Sequence, residues 1–307
     1  MIKTEAIVTI CIPVFNAENF IIDTLNSINN QSFKSINVVI IDDCSKDNSV
    51  KIIQNWLIGK GENYKLITNT SNVGLLKCSN ILLSHVKTLY FQLLGHDDII
   101  YPNKIELQVK LLDSTDDTVA MVYGNMHVVN HLGNKINNSF FERAEYFGKP
   151  PSGDIYNELI KGNFINASSV LCKTKFVIAQ GGYDENLFFE DWPMWIKLSS
   201  RFKVLFTQSF LGAYRILDNS MIHANFNKQI VASNTFKMYL NLLESNYPNP
   251  VYLKLMIRKF AIYCYKLNCK NAKKYLLTAL YYKFSIKVFV YFIFSICRIE
   301  SKSTFSK

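Results

Sequence analysis

An α/β fold is predicted for this chain: a mostly parallel sheet flanked by helices, with a helical C-terminal extension. Short, uninterrupted apolar runs alternate with segments of helical periodicity, and strands that are apolar on both faces belong to parallel sheets covered on both sides. Pairs of aspartates stand directly after the second and fourth runs, where the chain leaves a strand for the next element. The charge is also divided, because residues 1–250 hold 22 Lys+Arg against 23 Asp+Glu whereas residues 251–307 hold 12 against Glu300 alone.

Ile7 to Ile12 is an apolar, β-branched run ended by Pro13, and Asn16-Ala17-Glu18 then opens a helix with Ile21, Leu25 and Ile28 on one face. Ile36 to Ile41 is the second strand. It turns through Asp42-Asp43-Cys44-Ser45-Lys46 into a helix capped by Asp47 and carrying Val50, Ile53 and Leu57. Tyr64 to Thr68 is a third strand, Val73 to Val86 a third helix, and Thr88 to Leu94 a fourth strand that delivers the chain to Gly95-His96-Asp97-Asp98. Pro102 starts the next helix at its first turn, where a missing N–H costs nothing, and Val119 to Tyr123 is a further strand. From Gly124 to Gly153 the Asn, Gly and Pro-Pro content predicts a hairpin and loops. A strand is expected over Phe164 to Cys172, a turn at Gly181-Gly182-Tyr183-Asp184-Glu185 and a helix from Asp191 to Ser200. Beyond Arg215 the chain is expected to be helical, with a break at Tyr247-Pro248-Asn249-Pro250 that separates body from basic tail.

A chain of 307 residues with 49% hydrophobic and 14% aromatic residues buries a sizeable core, which excludes a disordered protein. The seven cysteines, at 11, 44, 78, 172, 264, 269 and 297, form no CxxC pair and are expected to be reduced, in a cytosolic compartment. Met1-Ile2-Lys3-Thr4-Glu5 leads straight into the first strand, so no secretory signal is expected. The net charge of +10 is carried by the 251–307 segment, which seeks an anionic partner: lipid headgroups, nucleic acid or a phosphorylated substrate.

An open parallel sheet binds ligands outside the carboxyl ends of its strands, because helix N-termini and loops converge there. Asp42-Asp43 and Asp97-Asp98 occupy that edge. Asp47 supplies the cap of the second helix, which leaves Asp43 for a ligand. Asp97 and Asp98 crowd two negative charges, and a hard divalent cation, Mg2+ or Mn2+, relieves that repulsion while bridging a diphosphate. The chain has no GxxxxGK[ST] loop, so a metal is the expected means of holding a diphosphate. Capping of the helix ahead of Pro102 is the structural alternative for the pair.

The ordered set Val8-Thr9-Ile10-Cys11-Ile12-Pro13-Val14-Phe15-Asn16-Ala17-Glu18, Asp42-Asp43-Cys44-Ser45-Lys46-Asp47 and His96-Asp97-Asp98-Ile99 with Pro102 resembles the family 2 glycosyltransferases of GT-A fold. The resemblance covers about residues 5–220 and implies a nucleotide-binding half, about 1–123, and an acceptor half, about 124–220, followed by a helical, basic region over 221–307. It implies nucleotide contacts at Pro13, Phe15, Asn16, Glu18, Asp43 and Asp97, with Asp43 reading the base, Asp97 binding ribose or metal, and Asp98 binding metal. Family members often carry a further Asp where this chain has Gly95, so metal ligation rests on Asp97 and Asp98.

Downstream, Gly181-Gly182-Tyr183-Asp184-Glu185 followed by Phe189-Glu190-Asp191-Trp192 resembles the family's Glu-Asp element, whose Asp is the general base. A sugar hydroxyl is a poor nucleophile and needs a carboxylate to take its proton, which implies Asp191 as base and Glu190 in support. Phe188, Phe189 and Trp192 are expected to exclude water and raise that carboxylate's pKa. Tyr214-Arg215 with Ser220 resembles a YRxHxxS segment in which Leu217 replaces the His, and Arg215 is implied as a clamp on the leaving diphosphate. His85, His96, His127 and His131 have no ligand-like spacing.

The tail reads Phe284-Ser285-Ile286-Lys287-Val288-Phe289-Val290-Tyr291-Phe292-Ile293-Phe294-Ser295-Ile296-Cys297, too short for the roughly 20 residues that span a bilayer. An interfacial seat on anionic lipid is expected, with a helix packed on the body as the alternative. The expected function is therefore inverting, metal-dependent sugar transfer from a nucleoside diphosphate-sugar, UDP or dTDP ahead of GDP, to a glycan or lipid-linked acceptor. The expected place is the cytoplasmic face of a membrane, in cell-surface polysaccharide synthesis such as O-antigen or capsule. A metal-dependent nucleotidyltransferase and a noncatalytic nucleic-acid binder using the basic tail are the rivals. The near-neutral body and the order of the motifs argue against both, and no nucleic acid is expected as partner.

Overall fold

The computed structural model describes residues 6–146, 148–217 and 227–296. They divide into two compact units, the first of residues 1–185 and 189–217 and the second of residues 186–188 and 218–307. Ser220, the last residue of the YRxHxxS-like segment, and Cys297 lie outside the described residues.

The first unit opens with β1 (Val8–Val14), α1 (Ile21–Asn29), β2 (Ile36–Asp42), α2 (Ser49–Leu57), β3 (Tyr64–Thr68), α3 (Leu75–Ser84) and β4 (Tyr90–Leu93). It continues through β5 (Ile99–Ile100), α4 (Lys104–Asp113), β6 (Val119–Val129), β7 (Lys135–Asn137), α5 (Phe140–Arg143) and α6 (Tyr156–Leu159). A 3-10 turn (Ala167–Ser169), β8 (Leu171–Lys173), α7 (Thr174–Ala179), α8 (Asp191–Ser199) and β9 (Lys203–Arg215) complete it. The second unit holds α9 (Asn227–Glu244), α10 (Pro250–Lys266), α11 (Ala272–Tyr282) and α12 (Ile286–Ile296). Tyr247–Pro250, expected to part body from tail, is the turn between α9 and α10, where Asn249 adopts φ +60° and its side chain caps Tyr252 N–H.

The strands form one mixed sheet in the order β3-β2-β1-β4-β8-β6-β9-β5, with β7 paired to β6. β3, β2, β1 and β4 run parallel, as the apolar runs predict, and β6 and β9 are parallel to each other, while β8, β5 and β7 are antiparallel to their neighbours. Val8, Ile10, Ile12 and Val14 on one face of β1 pack with Ile21, Leu25 and Ile28 of α1 and with Ile105, Val109 and Leu112 of α4. On the other face, Cys11 Sγ contacts the carbonyl of Leu82 in α3. A strand covered on both sides is fully buried, which is why it reads as an unbroken apolar run. Each aliphatic side chain buried by α1 stabilises by about 1.5–3 kcal/mol, so Ile21, Leu25 and Ile28 account for the anchoring of that helix.

Two expectations about elements are corrected. The strand expected over Phe164 to Cys172 is confined to β8, because Ser169 N–H and Ser169 Oγ both bond the Asn166 carbonyl and curl the preceding residues into a 3-10 turn. β9 has no counterpart in the sequence reading, since half-buried Thr207 and exposed Gln208-Ser209-Phe210 interrupt its apolar pattern at a shift in its register with β6.

Beneath the sheet, Lys104 is fully buried. Its Nζ donates to Gln92 Oε1 at 2.7 Å and Gln108 Oε1 at 2.6 Å. Gln92 Nε2 in turn donates to the Ser168 carbonyl, and Gln108 Nε2 to the carbonyls of Ser169 and Val122. One lysine thus orients two amides that hold the 3-10 turn against β4 and α4. Burial drives the Lys104 pKa well below its ordinary value.

Lys104→Met is expected to destabilise the chain by about 1–3 kcal/mol, the cost of leaving buried amide oxygens without a donor. Because the folded-state pKa is depressed, the unfolded chain binds the extra proton in the window below about 10.4, so the parent gains stability as pH rises through it. Urea unfolding of parent and variant between neutral pH and pH about 10 should show the gap widening with pH. A constant gap would mean that the Lys104 pKa is not depressed.

Candidate active site

Parallel pairing aligns the carboxyl ends of β1, β2 and β4 on one edge, with Val14 opposite Asp42 and Cys11 opposite Leu93. The edge is tied across: Asp43 N–H donates to the Val14 carbonyl, and the His96 Nδ1 lies 3.1 Å from the Pro13 carbonyl. Successive strands are added on either side of β1, so the strand order reverses between β1 and β4, the position at which open α/β sheets bind ligands.

Asp43 is buried, and its carboxylate accepts from Asn69 Nδ2, Val73 N–H and Gly74 N–H, each at 2.8 Å. Burial alone would raise its pKa, but these donors outweigh it and hold the group below the usual carboxylate range. Asp43 therefore stays charged and fixes the loop that starts α3. Asp42 turns inward to its own loop, accepting from the Ser45 N–H and hydroxyl.

The segments after β1 and β2 clasp each other. Asn16, at φ +49°, accepts from Lys46 N–H and gives its own N–H to Ser45 Oγ, while Glu18 accepts from both the N–H and the side-chain amide of Asn48. Asp47 spans the clasp, taking Glu18 N–H on one oxygen and the Ser49 N–H and hydroxyl on the other. Asn16 and Glu18 are thus committed to neighbouring backbone, and Phe15 is left exposed at 43% on the same edge.

The third strand end carries the second pair. Asp98 is buried, with Ser168 Oγ donating to one carboxylate oxygen and Arg215 N–H to the other at 3.0 Å. Burial first, then the adjacent Asp97 charge, push its pKa up to about 8 against the opposing pull of those donors. Thr24 Oγ1 donates to the carbonyls of His96 and Asp98, pinning the turn to α1. The Asp97 side chain, half-buried, accepts no hydrogen bond among the described residues.

Arg215 ends β9 only 4% exposed. Its Nε donates to the Asp97 carbonyl, Nη1 to the His131 carbonyl and Nη2 to Asp23 at 3.1 Å, and the guanidinium lies over the Phe20 ring at 5.1 Å. These protein partners occupy the fork that the resemblance assigns to a diphosphate.

Asp191 opens α8, its oxygens accepting from Asn163 Nδ2 at 2.7 Å and Trp192 N–H at 2.6 Å. Burial raises its pKa against both donors. Glu190, beside it, is pushed up to about 8 by burial and by Asp191. The Phe189 and Trp192 rings lie 6.1 Å apart, and Trp192 Nε1 donates to the Leu159 carbonyl, which places both aromatics at the start of α8. The preceding turn is held from α3, where Asn80 takes the Tyr183 N–H and donates to its carbonyl and to Glu185. A Cβ on Gly182 would come within 2.6 Å of Asn80 Oδ1, so this clasp requires glycine.

Tyr214 connects the two acidic clusters. Its phenol is pushed far above its ordinary pKa, by burial first and then by the charges of Asp98, Asp97 and, more weakly, Asp191. Carboxylates distant in sequence therefore lie within electrostatic range of a single hydroxyl. Sequence reasoning singles out Asp43, Asp97, Asp98 and Asp191 but misses Asn69, Asn163 and Ser168, the uncharged residues that orient Asp43, Asp191 and Asp98.

The donor set suits a divalent cation only in part. A Cβ on Gly95 would lie 3.1 Å from Asp97 Oδ1 and 3.2 Å from Asp98 Oδ2, so the two carboxylates converge on a space that the absent side chain leaves open. No group of three His, Cys, Asp or Glu able to hold a metal occurs among the described residues. Oxygen ligands of a hard cation fit this pair, with the remaining positions left to substrate phosphate and water.

Comparison with known proteins agrees with this geometry. Residues 9–163 match the model of glycosyl transferase family 2. An uncharacterised glycosyltransferase of Rickettsia conorii is 28% identical over 214 residues, covering 67% of this chain and 33% of its own length, so the chain spans about a third of that relative. Among solved structures, S. aureus TarS 1-349 in complex with UDP-GlcNAc superposes with a TM-score of 0.66 at 19% identity, covering 89% of this chain and 79% of TarS. The mannosyltransferase PcManGT of Pyrobaculum calidifontis, in complex with GDP-Man and Mn2+, gives 0.60 at 15% identity over 96% and 81%. The fold is that of the GT-A glycosyltransferases, and with half of its residues matched by the family model the chain belongs to glycosyl transferase family 2.

Proposed function

We propose that the chain is an inverting glycosyltransferase that moves a sugar from a nucleoside diphosphate-sugar to a glycan or lipid-linked glycan acceptor. The setting is cell-surface polysaccharide synthesis, at the cytoplasmic face of a membrane. The observation that carries this reading is the placement of Asp97, Asp98 and Asp191 within electrostatic reach of one hydroxyl, Tyr214. A donor-side acidic pair and an acceptor-side base within range of each other are what direct displacement at an anomeric carbon requires. Family membership favours sugar transfer over nucleotidyl transfer.

The nucleotide lies along the strand edge. Asp43, kept charged by Asn69, Val73 and Gly74, retains acceptor capacity for a base N–H, which favours uracil or thymine. Exposed Phe15 offers a ring face beside it. The complexes of TarS with UDP-GlcNAc and of PcManGT with GDP-Man and Mn2+ support the donor class and a divalent cation, Mg2+ or Mn2+. Asp97 and Asp98 would hold that ion, which when bound offsets the charge of the leaving diphosphate. Asp191 accepts the acceptor hydroxyl proton while the oxygen attacks the anomeric carbon. The bond to the diphosphate oxygen breaks on the opposite side, and the configuration inverts. Asn163 aims the base, Glu190 shares its proton load, and Arg215 braces the turn that presents Asp97.

Asp97→Asn is expected to keep the fold and to lose at least about tenfold of Mn2+-dependent UDP affinity, because removing one of the two carboxylate charges weakens the hold on the ion that would offset the diphosphate. Asp98→Asn should instead unfold more easily, since its carboxylate ties Ser168 to Arg215. Thermal shift with UDP, with and without Mn2+ or EDTA, separates the two; equal nucleotide affinity in parent and Asp97→Asn under every condition would remove the pair from the metal role.

Asp191→Asn should lower kcat by about a hundredfold or more while leaving the UDP thermal shift unchanged. Because burial raises the Asp191 pKa, the acid limb of kcat against pH should lie above the ordinary carboxylate range. Asn163 donates to the charged form, so Asn163→Ala should move that limb to higher pH. A limb that stays in place would assign the base elsewhere, with Glu190 the first candidate.

A further inference from the structure

α12 is apolar on both faces. It packs on α10 and α11 through Val288, which is 1% exposed, and through Tyr291, whose ring lies 5.5 Å from that of Tyr265. The opposite side exposes Ile286, Phe289, Val290, Ile293, Phe294 and Ile296, at 37–75%. At 3.6 residues per turn these six side chains fall within about half of the helix circumference, and Lys287 borders them as the one charge of the helix. A helix that is hydrophobic all round is ordinarily enclosed on all sides, by protein or by lipid.

We infer that this exposed face of α12 docks the chain on an anionic lipid bilayer, lying in the plane of the headgroups. The inference deepens the membrane-surface part of the function proposed above. Eleven residues make about 16 Å of helix, against about 30 Å of bilayer core, and no helix among the described residues is long and apolar enough to cross a membrane. An in-plane seat buries the stripe without spanning. Charge identifies the surface: residues 251–307 hold 12 Lys+Arg against one acidic residue, and Lys273, Lys274, Lys283 and Lys287 are exposed on and around α11 and α12. A second copy of the chain would bring an equally basic face against this one, whereas anionic headgroups complement it. Tyr281 and Phe284, exposed at 84% and 66% just before the stripe, are aromatic residues of the kind that settle at a membrane interface.

The test is flotation of the full chain with vesicles of phosphatidylcholine alone and with about a third phosphatidylglycerol, at low and high salt. The parent should float with the anionic vesicles and be weakened, not released, by salt, because the apolar contribution is not screened. Phe289→Ser/Ile293→Ser should lower partitioning by about tenfold or more, and Lys283→Glu/Lys287→Glu should lower it and flatten the salt dependence, while Ile58→Ser, an exposed apolar change on α2's far end, should not. UDP thermal shift with Mn2+ should be the same in all of them, so failed docking and failed donor binding are read separately. Flotation of Phe289→Ser/Ile293→Ser equal to the parent, or a parent that ignores anionic vesicles, would overturn the inference. Loss of self-association by sedimentation in that variant, with flotation unchanged, would assign the stripe to a second copy instead.

Discussion

The Asp98 carboxylate joins parts of the chain that are far apart in sequence, taking the Ser168 hydroxyl on one oxygen and the Arg215 main-chain N–H on the other. A buried charge of this kind is tolerated only when its lone pairs are used, and removal of one partner leaves a desolvated group that is costly by several kcal/mol, on the order of 3–5. The consequences run in both directions. Inward, Ser168 is held through its carbonyl by Gln92, which Lys104 orients from the core. Outward, Arg215 reaches the Asp97 carbonyl, the His131 carbonyl and Asp23. A continuous polar path therefore leads from a buried lysine to the turn that displays Asp97. The rigidity of that turn is a property of the core as much as of the edge.

The same path explains what the sequence discloses and what it conceals. Strand-end aspartates are legible because a charge that follows an apolar run must leave the sheet at its carboxyl edge, and Asp43, Asp97 and Asp98 all do. β1 and β2 are legible because burial on both faces leaves few polar residues to blur the pattern, Thr9, Asn37 and the terminal Asp42, whereas β3, which is only partly buried, is legible from Leu66 and Ile67. β9 is concealed: it is partly exposed, it carries Thr-Gln-Ser in its middle, and its register with β6 shifts there. Lys104, Gln92 and Gln108 are concealed for the opposite reason. Polar residues in the first turn of a helix or in a strand resemble surface positions unless the partner that buries them is known, and that partner is the 3-10 turn some 60 residues away.

Arg215 and the clasp of Asn16 and Glu18 show how a sequence motif and a chemical role can separate. Each residue stands where the family resemblance puts it, yet its polar atoms are already used by the protein. Arg215 brackets three segments, and Asn16 and Glu18 lock the loop after β1 to the loop after β2. On the proposed reading, residues of this kind shape the nucleotide site by fixing its walls. What they leave available is a smaller set: the Phe15 ring, the remaining acceptor capacity of Asp43, and the Asp97 carboxylate.

The two acidic pairs face the same electrostatic problem and differ in how it can be relieved. In each, one carboxylate accepts from fixed donors, Asp98 from Ser168 and Arg215, Asp191 from Asn163 and Trp192, and among the described residues its neighbour has no such side-chain or cross-chain donor. At 190–191 burial raises the pKa of both carboxyls and the Asp191 charge adds to the rise at Glu190, so the pair as a unit takes up a proton above the ordinary carboxylate range. At 97–98 the donor-held member is enclosed and its raised pKa reflects the enclosed charge, whereas Asp97 stands half-buried beside the open space at Gly95. A diphosphate approaching that space would add negative charge to negative charge, and a proton shared by the pair offers far less relief than a divalent cation set between carboxylate and phosphate oxygens. On the proposed reading, proton transfer and metal binding thus fall to different pairs, with the open space at Gly95 beside the second and Tyr214 lying in the field of both.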